Sequence, residues 1–312
     1  MKILLATDGS PQSKAAVNEI ASRPFPINTT VRIVSAYERT PLITRLEPMG
    51  VMEETYAKAD HYALKAAEDA SERAAAILRE KNPTLTLTMS VIDGSAKSVI
   101  LDEAEDFGAD LIVVGSHGYG SIEGFWLGSV SHAVALHATC SVEIVRGAKS
   151  GDKGWKILLA IDGSEQSEAA VEEIAHQPFP DGSDVRVISI VERPYWPLTY
   201  PGDGIDMNVY AEIEKSYLQR ANTAVENAAV KLRVGSGSNK LNITTDVPSG
   251  SAKEVIIEEA KAFGADLIVV GSHGYGMVER FLLGSVSQAV ALHAKCSVEI
   301  VRNSKTQVNA SK

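Results

Sequence analysis

The 312-residue chain contains itself twice. Val91–Arg146 reads against Val247–Arg302 without a gap at an offset of 156, with 43 identities in 56 positions. The start repeats as well: Lys2-Ile-Leu-Leu-Ala-Thr-Asp8-Gly-Ser10 recurs as Lys156-Ile-Leu-Leu-Ala-Ile-Asp162-Gly-Ser164 at an offset of 154. A duplication of this length restricts the chain to two tandem copies of one unit, each of about 150 residues and able to bury its own core. Gly147–Gly154 is small and polar, the composition of an exposed linker. Domains are therefore expected at residues 1–147 and 156–303, joined by a linker at 148–155 and followed by a flexible tail at 304–312.

Within each copy, short aliphatic or β-branched runs alternate with longer segments of 3.6-residue periodicity, which predicts βαβ units, a parallel sheet and an α/β fold. Strands are expected at Lys2–Thr7, Thr30–Tyr37, Thr84–Val91, Asp110–Gly115 and Ser141–Val145. Leu111–Val114 and its twin Leu267–Val270 are uninterrupted apolar runs, as central strands covered on both faces should be. Ser10 is placed to cap a helix whose first residue is Pro11, and Ser164 takes the same place in the second copy. Long amphipathic helices are expected over Glu53–Arg79 and Val209–Arg233. The copies differ most just before these helices, at Glu38–Met52 and Glu192–Asn208, where Tyr195 and Trp196 could line a ligand or anchor the loop.

Composition narrows the partners. The formal net charge is −10 and basic residues are not interleaved with aromatics, so the footprint needed for a phosphate backbone is missing and nucleic acid is not expected. Apolar runs fall short of the roughly 18 residues that span a bilayer, so no membrane is expected and the location is read as cytoplasmic. Cys140 and Cys296 sit at matching positions of the repeat, which fits small buried apolar residues better than a mutual disulfide.

The residues that can carry chemistry follow the fourth strand. Gly115-Ser-His-Gly118, nine residues and Gly128-Ser129-Val130-Ser131 open the next helix; the second copy repeats this as Gly271-Ser-His-Gly274, nine residues and Gly284-Ser285-Val286-Ser287. Glycines let backbone N–H groups approach an anion, and a helix start adds free donors and the positive end of a dipole. The motif reads as a phosphate cradle. In a doubly wound sheet the first and fourth strands are neighbours at the point where winding reverses, which is where ligands bind. Asp8 and Asp162 close the first strand there, placed either to meet an adenosine hydroxyl or a phosphate-bound metal, or to cap the following turn. His117 and His273 stand between the glycines in reach of a phosphate or ribose.

The cradle has no P-loop lysine. Gly115–Ser131 carries no Lys or Arg, and Gly271–Ser287 has only Arg280, where the first copy has Gly124. Phosphate charge is then expected to be met by backbone dipoles, the hydroxyls of Ser129 and Ser131 and a divalent metal, an arrangement poorly equipped for hydrolysis. The histidines His61, His132, His137, His176 and His293 lack metal-ligand spacing, and no nucleophile elbow suggests covalent catalysis.

The doubled G-x-x-G, nine residues, G-S pattern resembles the universal stress proteins, in their ATP-binding branch and in tandem arrangement. The resemblance covers nearly the whole chain twice. It implies two tandem Rossmann-like (adenine nucleotide alpha hydrolase-like) domains, each a five-stranded parallel sheet of order 3-2-1-4-5 with helices on both faces. It also implies ATP, with Mg²⁺ held through its phosphates and no metal ligand from the protein itself. Triphosphate contacts carry over to Gly115, His117, Gly118, Gly128, Ser129, Val130 and Ser131, and to Gly271, His273, Gly274, Gly284, Ser285, Val286 and Ser287. Asp8 and Asp162 match the family's first-strand acid, and the main chain at Ala36 and Ile190 would face the adenine. The same resemblance implies an intrachain pseudo-dimer through Ser141–Val145 and Ser297–Val301, open to homodimer formation. The function it implies is regulatory nucleotide binding in a stress response; a slow ATPase of the same fold and a nucleotide-free scaffold remain alternatives. The second copy departs from the first at Arg280 and in the exchange of Thr7 for Ile161, which leaves the equality of the two sites open.

Overall fold

A computed structural model describes residues 1–39, 50–118, 127–147, 154–177, 179–192, 207–235, 241–274 and 283–303. Residues 148–153 of the expected linker, Tyr195, Trp196, Gly124, Arg280 and the residue 304–312 tail lie outside the described residues, whereas Trp155 at the linker's expected end is buried in the second core. The chain divides into two compact units, broadly its two halves. The first contains β1 (Lys2–Ala6), α1 (Pro11–Ser22), β2 (Thr30–Tyr37), α2 (Gly50–Lys81), β3 (Thr86–Asp93), α3 (Ala96–Phe107), β4 (Leu111–Gly115), α4 (Ser129–His137) and β5 (Ser141–Val145). The second repeats them as β6 (Lys156–Ala160), α5 (Glu165–His176), β7 (Asp184–Ile188), α6 (Met207–Gly235), β8 (Asn242–Asp246), α7 (Ala252–Phe263), β9 (Leu267–Gly271), α8 (Ser285–His293) and β10 (Ser297–Val301).

In the first half the hydrogen-bonded order is β3-β2-β1-β4-β5, and in the second β8-β7-β6-β9-β10. The pairings β1–β2, β1–β4, β2–β3 and β4–β5 are all parallel, which requires a crossover helix between successive strands. Alternate residues serve opposite faces. Ile3, Leu5, Val31, Ile33, Leu111 and Val113 pack with α1 and α2 residues in one cluster, while Leu4, Ile112 and Val114 between them are equally buried on the other face. The central strands therefore read as continuous apolar runs because both faces are covered.

Local chemistry sets the helix limits. The Ser10 hydroxyl accepts the Ser13 N–H at 3.2 Å with Pro11 at the first helical position, and Ser164 accepts from Ser167 at 3.3 Å. Helices α3 and α7 stop at Gly108 and Gly264, whose φ of 63° and 68° is a left-handed conformation that favours glycine. Two expectations shift. β3 runs over Thr86–Asp93 rather than Thr84–Val91, because its eight residues are held in register with all of β2, from Thr30↔Thr86 to Tyr37↔Asp93; this largely exposed edge strand has little apolar alternation to mark its ends. Helices α2 and α6 extend two or three residues beyond the expected limits at each end, since periodicity is blind to terminal turns.

Both copies lock strand two to helix three alike. Arg32 pairs with Glu103 at 2.5 Å and lies 4.2 Å from the Phe107 ring centre; Arg186 pairs with Glu259 at 3.2 Å and lies 4.5 Å from that of Phe263. They diverge beneath α1. There Arg23, 2% exposed, pairs with Glu19 at 3.0 Å and with Glu143, which is itself fully buried. Burial, reinforced by Glu143, holds the Glu19 carboxyl well above its ordinary value despite the guanidinium. The second copy has Gln177 in place of Arg23, its amide donating to Glu173 at 3.1 Å.

Candidate functional site

The site grows from the ends of β1 and β4, which are direct neighbours through Ile3↔Leu111 to Leu5↔Val113. Beyond β1 the chain turns through Asp8, whose Oδ1 accepts the Ser10 N–H at 2.9 Å. The acid thus caps its turn, and its other oxygen remains for a different task. A Cβ on Gly118 would stand 2.8 Å from Asp8 Oδ2. In the second copy Asp162 Oδ1 likewise accepts from Ser164 at 2.9 Å, and a Cβ on Gly274 would stand 2.4 Å from Asp162 Oδ2. Glycine at 118 and 274 is what lets the carboxylate and the loop share one corner.

The other cradle glycines serve packing. A Cβ on Gly115 would come within 2.7 Å of the Gln12 carbonyl carbon, and one on Gly271 within 2.9 Å of that of Gln166. Glycine there lets α1 lie directly on the end of β4, and α5 on the end of β9. The Gly128 N–H is spent on the Ser116 carbonyl at 2.8 Å, and that of Gly284 on Ser272 at 2.8 Å. Ser131 and Ser287 are 4% exposed and donate their hydroxyls to the Gly115 and Gly271 carbonyls at 2.6 Å. What they retain for an anion is the backbone N–H, not the hydroxyl proton expected of Ser131.

Helices α4 and α8 begin with no side-chain cap at Gly128 and Gly284. Their first intrahelical bonds come from His132 and Gln288, so the N–H groups of Ser129, Val130 and Ser131, and of Ser285, Val286 and Ser287, lack acceptors within the helix. Three aligned donors at a positive helix end form an anion seat. The His117 ring bonds Ser116 Oγ through Nδ1 at 3.1 Å, and its Nε2 is buried without a partner. Burial first, and Arg146 second, lower its pKa from the ordinary 6.5, so the ring is neutral at pH 7. His273 makes the equivalent bond to Ser272 at 2.7 Å.

In the second copy these residues converge on one cavity of about 720 Å³. Asp162, Ile190, Gly271, His273, Gly274, Gly284, Ser285, Val286 and Ser287, the nine positions singled out from the sequence, all line it. In the first copy the same positions, with Asp8 and Ala36, occupy the corresponding strand ends and helix start. The volume suits a nucleotide-sized ligand, for which pockets of about 300–1,000 Å³ are usual. Unpaired N–H donors at the helix start fit a polyphosphate; among the described residues no group of three His, Cys, Asp or Glu is arranged for a metal.

Sequence reasoning missed two groups of lining residues. Tyr217 and Arg220 of α6 enter the cavity wall, and Lys253 of α7 lines an adjoining hollow with Ser285 and Val286. None belongs to the glycine motif, and only the crossover topology brings them there. The exchange of Thr7 for Ile161 has a local explanation: Gly9 N–H bonds Thr7 Oγ1 at 3.3 Å, whereas Gly163 N–H bonds Ser167 Oγ at 3.0 Å. Among the described residues no helix is long and apolar enough to cross a membrane. Cys140 is buried and Cys296 partly so, both as thiols.

Known proteins resemble this chain in sequence and in fold. A universal stress protein of Mycobacterium tuberculosis is 29% identical over 320 residues, covering 97% of each chain, and one of Mycolicibacterium smegmatis is 28% identical over 309 residues, covering 96% of each. The crystal structure of a universal stress protein from Archaeoglobus fulgidus superposes with a TM-score of 0.58 at 17% identity, covering 97% of this chain and 96% of that one; at that identity it speaks for the fold alone. The profile of the universal stress protein family matches residues 1–146 and again residues 155–302, and the chain belongs to that family, with one family unit in each half.

Proposed function

We propose that each half binds an adenine nucleotide, ATP with Mg²⁺, and that the protein acts in stress responses as a nucleotide-dependent regulator rather than by turnover. The observation that carries this reading is the cavity in the second half, where every residue expected from the sequence meets the three unpaired N–H groups of α8. Ser285, Val286 and Ser287 would seat the terminal phosphates, and Gly274 lets the Asp162 carboxylate lie against the loop beside them. The carboxylate of Asp162, whose Oδ1 accepts the Ser164 N–H, would accept a ribose hydroxyl through its other oxygen. Bound Mg²⁺ would neutralise phosphate charge that the cradle motif, poor in cations, leaves uncompensated.

Among the described residues no general base is set against the phosphate seat: neutral His117 is tied to Ser116 through Nδ1, and each aspartate gives one carboxylate oxygen to its own turn. Regulation then requires that occupancy favour one conformation over another. The test is calorimetric titration of the full chain with ATP and Mg²⁺, paired with a phosphate-release assay. Saturable binding with turnover far below about 1 s⁻¹ is expected; absence of saturable binding at millimolar ATP defeats the reading, and turnover in the ordinary enzyme range defeats its non-catalytic part.

A further inference from the structure

The cavity of the second half has an end that the glycine motif does not reach. Strand order β8-β7-β6-β9-β10 sets the end of β7 two strand spacings, about 10 Å, from the end of β9. That separation is comparable to the span from a nucleobase to its first phosphate. Val185 and Val187 belong to the core cluster shared with α5 and α6, so by strand alternation Ser189 and Val191 continue on the α6 side. Tyr217, 44% exposed, and Arg220 stand in the cavity wall there, just before buried Ala221.

The first half lacks both groups. Burial fixes the register of the long helices at an offset of 154: Ala67, Ala74, Ala75 and Leu78 are buried in α2 as Ala221, Ala228, Ala229 and Leu232 are in α6. Tyr217 and Arg220 therefore correspond to Ala63 and Ala66. The first half carries its ring on the strand instead, as Tyr37, where the second has Val191. Arg39 lies 5.9 Å from that ring's centre, donates to its hydroxyl at 3.2 Å and pairs with Asp93 at 3.1 Å. This corner is engaged with itself. In the second half β7 ends at Ile188, with one isolated bridge, Val191–Ser249, beyond it.

We infer that Tyr217 and Arg220 form a stacking wall for the nucleobase in the second half alone, so that the two sites differ at the base end while sharing the phosphate end. The inference rests on the nucleotide reading above and adds to it which residues grip the base. A phenol ring and a planar guanidinium both stack on heteroaromatic faces, with an effect of about tenfold or more in affinity for a single stacked base. Triphosphate contacts are untouched by it.

The test is calorimetry on the full chain with two probes, ATP and inorganic tripolyphosphate, each with Mg²⁺. Tyr217→Ala combined with Arg220→Ala is expected to weaken ATP about tenfold at one of two sites, leaving the other and tripolyphosphate unchanged. Tyr217→Phe, which keeps the ring, is expected to match the wild type. Both side chains are exposed, so thermal unfolding should be unaltered. Unchanged ATP affinity in the double variant, an equal loss for both probes, or a loss in Tyr217→Phe overturns the stacking wall while the nucleotide reading stands. Failure of the wild-type chain to bind ATP overturns both.

Discussion

The two halves agree where backbone geometry is demanding and differ where side chains alone set the outcome. From β4 through the start of α4, and from β9 through the start of α8, the same glycines and serines make the same bonds: Ser131 to Gly115 and Ser287 to Gly271 at 2.6 Å, Gly128 to Ser116 and Gly284 to Ser272 at 2.8 Å. These bonds need specific residue types, because a Cβ or a missing hydroxyl would break the corner. Farther along the same edge of the sheet the halves part: Tyr37, Arg39 and Asp93 interlock in the first, whereas in the second Tyr217 and Arg220 line a cavity. The duplicated halves keep this glycine and serine corner and differ in its surroundings.

The largest expected effect tests the shared part. Gly115→Ala and Gly271→Ala each drive a Cβ against helix backbone that has no room to yield, and about 3 kcal/mol of stability should be lost in chemical denaturation; a loss under about 0.5 kcal/mol would show the packing account to be wrong. Gly118→Ala and Gly274→Ala act differently, since their Cβ meets a carboxylate at 2.8 and 2.4 Å. Displacing that carboxylate should cost about tenfold or more in ATP affinity at the altered half, with near-normal unfolding. Equal ATP affinity with a perturbed fold would reverse the roles assigned to these two glycine positions.

A smaller effect separates the halves through buried charge. Glu19 titrates above its ordinary 4.5 in the folded chain because burial and Glu143 oppose its ionisation. A carboxyl whose folded value is raised contributes stability that is complete below about 4.5 and is lost as pH rises through the raised value. Glu19→Gln should remove that decline, so that the variant gains on the wild type with rising pH; parallel stability curves would contradict the assignment. Glu173→Gln beside Gln177 supplies the comparison in the other half. Smallest of all, Lys253→Ala should weaken ATP about threefold and AMP not at all, as befits an exposed cation beside the phosphate seat; an equal loss for AMP would place Lys253 elsewhere.

Much of this was legible in the sequence because the informative residues are contiguous. Val113 and Gly115, or Gly128 and Ser131, are close along the chain, and the glycine spacing reports a backbone path directly. The parallel sheet followed from the alternation of strands and helices, and its central strands from apolar runs such as Leu111–Val114, which only a doubly covered strand tolerates, while the strand order came from the family resemblance. Tyr217, Arg220 and Lys253 were illegible for the opposite reason: they sit on amphipathic helices whose exposed positions carry no pattern, and crossover topology alone brings them to the strand ends. The hydroxyl of Ser131 was misjudged because residue type reveals a donor without revealing its acceptor. The edge strand β3 slipped by two residues because its register is set by β2 and not by its own side chains.

Native mass spectrometry of the full chain in the presence of ATP and Mg²⁺ tests the central claim most directly. Up to two nucleotides per chain are expected, reduced to one when either Gly118 or Gly274 bears a side chain and to none when both do. A chain that stays free of nucleotide at millimolar ATP, or one whose occupancy ignores both substitutions, would contradict that claim.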